Sequence, residues 1–131
     1  MATLCKIQKM DLTARDERGA TYSFATKPSS DYLLINRNKG STSGCHYHLG
    51  KWKVKNPETI LLISGKIKLY MRHMETDEEE TMDIEAPAKI EMPPMVYHEV
   101  HALTDIIMIE PADEKLTPEK YNEDTRWPGR K

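Results

Sequence analysis

The sequence contains no apolar run long enough to cross a bilayer. Its longest apolar runs, such as residues 59–63 and 106–109, are far shorter than the roughly 20 residues that a transmembrane helix needs. The N-terminus, MATLCKIQKMD, lacks the apolar segment of a signal peptide. The only cysteines, Cys5 and Cys45, are too few for a disulfide scaffold and fit a reducing compartment. We therefore expect a cytoplasmic protein with no membrane partner.

A basic excess is also missing. Lysine and arginine total 19 against 21 aspartates and glutamates, so the net charge is −2. A protein dedicated to nucleic-acid binding would carry a clear positive excess, and we therefore expect no nucleic-acid partner. The 131 residues are enough for one domain with a real core, but leave little room for a second.

What the chain does contain is a series of short segments in which apolar and polar residues alternate. The clearest, residues 66–72, places Ile67, Leu69 and Met71 on one face. An acidic segment that predicts a solvated turn follows, and then a returning strand with Met82 and Ile84 inward. This pattern of short alternating segments separated by turns is typical of an all-β sandwich or barrel. The predicted strands are residues 58–64, 66–72, 81–85, 88–92 and 105–110, with weaker ones over 22–25 and 31–36.

The segment after Pro111 differs from the rest, because it is charged and interrupted by prolines. Thr117 followed by Pro118 predicts the start of one short helical turn. Trp127 is expected either to fold back onto the sheets or to belong to a loose terminus.

Two of the five histidines stand out. His46 and His48 are two residues apart in a segment expected to be extended, so both imidazoles share one face while Cys45 and Tyr47 take the other. Cys45 is therefore not expected to join the histidines at a metal. His73 lies in the acidic turn, where we expect it to be solvated.

The spacing of residues around this pair resembles the motifs of the cupin superfamily of small β-barrels. Its first motif is a glycine, five residues, His-x-His, a short loop, a glutamate, six residues and a glycine; its second is Pro-x-Gly-x-x-His. The resemblance covers roughly residues 31–110. The matching positions are Gly40, His46, His48, Glu58 and Gly65 in the first motif, and Pro93 and His98 in the second.

The chain departs from the family pattern in one loop length and at two residue positions. Nine residues separate His48 from Glu58, more than the family's usual three or four. Met95 replaces the glycine of the second motif, and Ala102 occupies the place where an asparagine is often found. None of these departures removes a candidate ligand.

The resemblance implies an all-β fold, a single cupin-type antiparallel β-barrel (double-stranded β-helix or jelly roll) with a short N-terminal arm and a charged C-terminal tail. Residues 1–131 would form one domain, with the barrel core at about 26–110 and the tail at 111–131. Cupins often form dimers, and an outward apolar row at Thr59, Leu61 and Ile63, opposite inward Ile60 and Leu62, suggests a subunit contact. We therefore expect a homodimer.

The same resemblance implies a metal site formed by His46, His48, Glu58 and His98. Three imidazoles and one carboxylate suit a divalent transition metal, with Mn, Fe, Ni and Zn all open, and leave positions for water or substrate. The expected cofactor is one such ion.

Further candidate site residues lie around these ligands. The long loop alternates so that Lys51, Lys53 and Lys55 face one side and Trp52 and Val54 the other. With Arg37, the lysines would form a cationic rim that attracts an anionic substrate, with Trp52 as a lid; alternatively, the loop is a solvated hairpin anchored by Trp52. The substrate-binding candidates are Arg37, Lys51, Trp52 and Lys53, and the candidate acid–base residues are Tyr97 and Tyr70.

Three functions fit this pattern. The favoured one is a metal-dependent enzyme that acts on a small anionic oxygenated molecule, such as a sugar derivative or a hydroxy or keto acid, by the proton transfer of an isomerase or epimerase. An iron-dependent dioxygenase or a lyase is the second. A non-catalytic cupin that binds a metal or a small molecule is the third, since fold alone does not determine function.

Overall fold

The computed structural model describes residues 4–112 and 117–129, which form strands and one short helix. The strands are β1 (Lys6–Lys9), β2 (Asp11–Asp16), β3 (Gly19–Ser23), β4 (Tyr32–Arg37), β5 (Thr42–His48), β6 (Glu58–Ser64), β7 (Lys66–His73), β8 (Glu79–Glu85), β9 (Ala88–Met92), β10 (Val96–Ala102), β11 (Ile106–Pro111) and β12 (Thr125–Arg126), with helix α1 (Pro118–Asp124) immediately before β12.

Two five-stranded antiparallel sheets make up the barrel. One has the order β1-β9-β6-β11-β4 and the other β12-β5-β10-β7-β8. Their inner faces enclose an apolar core, in which Ile67, Leu69 and Met71 of β7 are fully buried as their alternation predicts. The expected all-β, cupin-type jelly-roll fold is confirmed.

Most predicted strands are present, with small changes at their ends. Residues 58–64 and 88–92 form β6 and β9 as predicted, and the predictions at 66–72, 81–85, 105–110 and 31–36 correspond to β7, β8, β11 and β4. The predicted strand at 22–25 is shifted, since β3 ends at Ser23. Residues beyond it leave this hairpin and cross the outside of the first sheet.

This crossing segment explains why part of the outward apolar row is covered. Thr59 and Leu61 are each less than 5% exposed, although they face away from the barrel interior. Lys89 pairs with Leu61 across β9 and β6, and its Nζ donates to the Ala25 carbonyl at 2.6 Å. Only Ile63 of the row remains substantially exposed.

The N-terminal arm is a hairpin of β2 and β3 that forms its own two-stranded sheet. Every residue from 11 to 25 is exposed, and the two strands have little contact with other elements. An isolated two-stranded hairpin is only marginally stable in water, so contacts within the described part of the chain do little to stabilise this arm.

The C-terminal segment returns to the barrel. Thr117 caps α1, because its side chain accepts a hydrogen bond from the Lys120 amide, and Pro118 takes the first helical turn as predicted. β12 then pairs with β5, with Thr125 opposite His48. Of the two alternatives for Trp127, the structure therefore shows the return. Within the described residues, no helix is long and apolar enough to cross a membrane.

Candidate functional site

Four buried side chains converge inside the barrel. His46 and His48 come from β5, Glu58 begins β6 and His98 lies in β10. Their ligand-type atoms all lie within 4.8 Å of one another. Pairing of β10 with β5 places His98 opposite His46, so the expected cluster forms from three strands.

A β-bulge beside the cluster depends on a glycine. The pairing of β10 and β5 shifts register between His98 and Glu99, and Gly44 and Cys45 adopt positive φ angles of 84° and 56°. A Cβ on Gly44 would lie 3.0 Å from the His98 carbonyl oxygen. Glycine therefore permits both the backbone conformation and the close approach of the two strands.

The outer nitrogens of all three imidazoles have partners. His98 Nδ1 donates to the Val96 carbonyl at 3.0 Å, because a carbonyl can only accept. His48 Nδ1 lies 3.2 Å from the Thr125 hydroxyl, and His46 Nδ1 lies 3.4 Å from the Tyr121 hydroxyl. Such partners fix the orientation of a ring, and two of them come from the C-terminal segment.

A buried lysine adjoins the cluster. Lys55 is 3% exposed, and its ammonium donates to Glu58 Oε2 at 2.9 Å and to Glu110 Oε1 at 3.1 Å. An isolated β-bridge between Lys55 and Glu58 closes the loop here. Lys27 anchors the same loop from outside by donating to the carbonyls of Val54 and Pro57. The long loop thus returns Glu58 to the cluster with a counter-charge beside it.

Charge interactions determine the protonation of Glu58 and His98. Burial raises the pKa of Glu58, but the charge of Lys55 and the neighbouring imidazoles of His48 and His98 outweigh it and hold the pKa well below its ordinary value. Burial lowers the pKa of His98, but Glu58 offsets this, 3.2 Å away, and raises the pKa above its usual value. Glu58 is therefore an anion that attracts a cation to this point.

Three other groups have shifted pKa values. Burial and the repulsion of His98 lower the pKa of His46 to about 3, so this ring is neutral at pH 7. Burial and the charge of Glu58 raise the pKa of Glu110 to about 7. Burial and the charge of Glu58 likewise raise the pKa of Tyr121 to about 12. Beside the cluster there is thus a carboxyl group, that of Glu110, whose pKa is near neutral pH, and a hydroxyl, that of Tyr121, which stays protonated.

These groups line a cavity of about 580 Å³. Arg37 lines it as well, and its Nε donates to the Ser43 hydroxyl at 2.9 Å. Of the described residues predicted to bind substrate, Lys51, Trp52 and Lys53 are not in the lining, whereas Lys55 from the same loop is. The lining residues are Tyr32, Leu33, Leu34, Ile35, Arg37, Ser43, Gly44, His46, Lys55, Glu58, Ile60, His98, Val100, Met108, Glu110, Tyr121 and Trp127.

The two tyrosines expected to act as acid and base lie elsewhere. Side chains alternate along a strand, so Tyr97 faces away from the cavity that its neighbour His98 lines. Its hydroxyl donates to Glu99 Oε2 at 2.7 Å, and the Tyr70 hydroxyl donates to Glu79 Oε1 at 3.0 Å. Neither tyrosine is among the described residues that line the cavity.

The remaining histidines also lie outside the cluster. His101 Nε2 is 2.8 Å from Glu99 Oε1 and its Nδ1 is 3.1 Å from the Thr42 hydroxyl. His73 is half-buried rather than fully solvated, and its Nδ1 accepts from the backbone amides of Glu75 and Thr76. Both have local partners that account for their positions.

Sequence reasoning missed three residues of the site. Lys55 was expected on an exposed rim. Glu110 could have been found, since alternation along β11 puts it on the same face as Ile106 and Met108. Tyr121 has no signal in its local sequence, because it reaches His46 only through the return of the C-terminal segment.

The cluster fits a divalent transition metal. Its donors are three imidazoles and one carboxylate, a set that such ions favour. His48 Nε2 is buried without a hydrogen-bond partner, and buried polar atoms rarely remain unpaired without a reason. Glu58 Oε1 makes no hydrogen bond either, although it lies 3.2 Å from His98 Nε2. Lys55 adds a positive charge nearby, but Glu110 offsets it. The four residues that would hold the ion are His46, His48, Glu58 and His98.

The sequence matches the model of the polysaccharide biosynthesis C-terminal domain family over residues 14–125. The chain belongs to this family. No curated protein matches the sequence.

Solved structures share the fold of this family member at low identity. The sugar 3,4-ketoisomerase QdtA from Thermoanaerobacterium thermosaccharolyticum has been solved as a mutant with TDP-4-keto-6-deoxyglucose and also with TDP; the first is 18% identical with a TM-score of 0.70, over 97% of this chain and 89% of that one. The dTDP-4-dehydrorhamnose 3,5-epimerase from Sulfolobus tokodaii is 17% identical with a TM-score of 0.67, over 96% and 77%.

A third similar structure is the capsular polysaccharide assembling protein CapF from Staphylococcus aureus. It is 22% identical with a TM-score of 0.59, over 90% of this chain and 34% of CapF. The chain therefore spans about a third of the length of CapF.

Proposed function

We propose that the protein catalyses a proton-transfer isomerisation or epimerisation of a keto sugar carried on a nucleoside diphosphate. The observation that carries this proposal is the cavity in which Glu110 lies beside Lys55 and the histidine cluster. The names of two proteins with the same fold, a sugar 3,4-ketoisomerase and a sugar 3,5-epimerase, support it. Both reactions can begin by removing a proton from the carbon next to a ketone.

Glu110 is the proposed base. Its carboxyl group lines the cavity, and it is not one of the four expected ligands. It would take the proton from the carbon next to the carbonyl, and the electron pair of that C–H bond would move to the carbonyl oxygen to form an enolate. A base with a pKa near the working pH is the most effective.

Tyr121 is the proposed acid. Its hydroxyl lies in the same cavity, 3.4 Å from His46 Nδ1, and its raised pKa keeps the proton in place at neutral pH. Delivery of this proton to the original carbon from the other face would give an epimer. Delivery to the former carbonyl carbon, while the proton of the neighbouring hydroxyl passes to the enolate oxygen, would turn that hydroxyl into the new ketone and move the carbonyl by one position. In either case, transfer of the proton from Glu110 to Tyr121 would restore both groups.

We further propose that His46, His48, Glu58 and His98 hold one divalent ion, with Mn, Fe, Ni and Zn all suited to these ligands. When bound, such an ion supplies Lewis-acid stabilisation of the enolate oxygen. Lys55 would keep Glu58 ionised for this purpose, and Thr125 would hold the His48 ring in position. Glu110 and Tyr121 go beyond what a simple binding module needs, which favours catalysis over non-catalytic binding.

The proposed assembly is a homodimer in which the arm of β2 and β3 meets a second copy. The arm exposes Leu12, and Phe24 follows it. The first sheet exposes Ile63 and Ile107 on its outer face, and Leu34, which is 68% exposed, lies on β4, one of the two terminal strands of that sheet. An apolar arm and an apolar sheet face on one chain can cover each other between two copies.

The proton-transfer proposal predicts solvent exchange. In D₂O, the protein should exchange the protons on C3 or C5 of TDP-4-keto-6-deoxyglucose, because both carbons adjoin the C4 ketone, and proton NMR measures this loss. Glu110→Gln should slow the exchange by about 10²- to 10⁴-fold, whereas Glu91→Gln, on the outside of the barrel, should not. Absence of exchange in the wild-type protein above the rate in buffer would contradict the proposal.

Metal binding makes a separate prediction. Elemental mass spectrometry should find close to one transition-metal ion per chain, and His48→Ala should lose it because one of four ligands is gone. His73→Ala, a histidine outside the cluster, should keep it. If neither purification nor loading with Mn, Fe, Ni or Zn yields a bound ion, the metal proposal is wrong. Bound iron together with oxygen consumption would favour the dioxygenase alternative.

The dimer proposal predicts a solution mass near twice the 15.1 kDa chain by light scattering after size exclusion. Leu34→Glu should reduce it to one chain, because it places a charge in the apolar contact. Leu103→Glu, at an exposed leucine outside this surface, should leave the mass unchanged. A single-chain mass for the wild-type protein over the micromolar range would disprove the assembly.

A further inference from the structure

Trp127 is an exposed aromatic ring in a fixed position at the mouth of the cavity. It follows β12, whose backbone is paired with β5. Its ring lies perpendicular to that of His46, with centroids 6.3 Å apart, and 5.9 Å from that of Tyr121. Nevertheless, it is 53% exposed. An aromatic side chain that is already ordered loses little entropy when a flat ligand stacks on it.

Arg37 lines the same cavity from β4. Its guanidinium is oriented by two hydrogen bonds, from Nε to the Ser43 hydroxyl and from Nη1 to the Asn36 carbonyl, each at 2.9 Å. Neither partner carries a charge, and no carboxylate of residues 4–112 or 117–129 forms an ion pair with Arg37. An oriented guanidinium without a counter-charge is suited to a phosphate group.

The position of these two residues follows from the strand order. β4 is the last strand of the first sheet, and β12 is the last strand of the second. Arg37 reaches Ser43 of β5, the strand against which β12 pairs. Both residues are exposed, so they border the open side of the barrel, whereas the four residues of the histidine cluster are buried and lie at the inner end of the cavity.

We infer that this open side is a nucleoside diphosphate subsite, in which Arg37 binds the diphosphate and the base stacks on Trp127. The inference rests on the proposed function for the sugar, which would occupy the inner end. The cavity of about 580 Å³ falls within the range of about 300–1,000 Å³ that holds ligands larger than a single sugar. Stacking requires only a flat aromatic base, so the subsite is expected to accept more than one nucleotide.

Calorimetric titration with TDP and with thymidine tests this subsite without any turnover. Trp127→Ala should weaken binding of both ligands, by about 5- to 100-fold, the usual loss when a stacking aromatic is removed. Trp127→Phe should restore most of it. Arg37→Ala should weaken TDP about 10- to 100-fold and leave thymidine unchanged, because only TDP carries the diphosphate. Lys39→Ala, an exposed cation two residues away, is the control for charge.

Fluorescence provides a second readout. The chain has two tryptophans, Trp52 and Trp127, so in Trp52→Phe all tryptophan emission comes from Trp127. TDP should quench this emission with the same dissociation constant as the calorimetric titration. Thermal unfolding followed by circular dichroism checks that each variant folds.

Several results would overturn the subsite. These are no TDP binding to the wild-type protein, no change in TDP affinity in folded Trp127→Ala, or equal losses for TDP and thymidine in Arg37→Ala. The outcome is separable from that of the proposed function. If TDP binds through both residues but no proton exchange occurs, the subsite stands and the proposed reaction is wrong. If exchange occurs but Trp127→Ala leaves the TDP affinity unaltered, the reaction stands and the subsite is wrong.

Discussion

The ion pair between Lys55 and Glu58 is the interaction on which the site depends. Both side chains are almost completely buried, and removing a charge from water costs several kcal/mol unless partners compensate. Lys55 and His48 lie against Glu58 Oε2, at 2.9 and 3.5 Å, and His98 lies 3.2 Å from Oε1. Because Lys55 also binds Glu110, the same ammonium positions the expected ligand carboxylate and the proposed base. The long loop that departs from the cupin pattern supplies this lysine.

The C-terminal segment helps to orient the histidines of the cluster. Through Tyr121 and Thr125 it contacts the outer nitrogens of His46 and His48, and hydrogen bonds of this kind fix the orientation of ligand imidazoles. Asp124 fastens the segment, since its backbone and side chain accept from the amides of Leu49 and Lys51. The C-terminal segment therefore belongs to the candidate site, and Trp127 extends it to the mouth of the cavity.

The strands and the ligand cluster could be predicted from sequence because both depend on local patterns. The alternation of apolar and polar residues is enough to predict that Ile67 and Leu69 are buried and that His46 and His48 lie on the same face of their strand. The same rule, applied to His98, would have put Tyr97 on the face of β10 that points away from the cavity, where its buried hydroxyl donates to Glu99. Lys55 and Tyr121 could not be placed in this way. The first depends on how a nine-residue loop closes, and the second on a strand pairing between distant parts of the chain.

If Lys55 compensates the buried charge of Glu58, its removal must destabilise the fold, and denaturant unfolding of Lys55→Met at pH 7 measures this. Removing one partner of a buried pair leaves the other uncompensated, so the free energy of unfolding should fall by about 3–5 kcal/mol. Lys53→Met, an exposed lysine of the same loop, should change it by no more than about 0.5 kcal/mol. Equal stabilities of the two variants would contradict the claim.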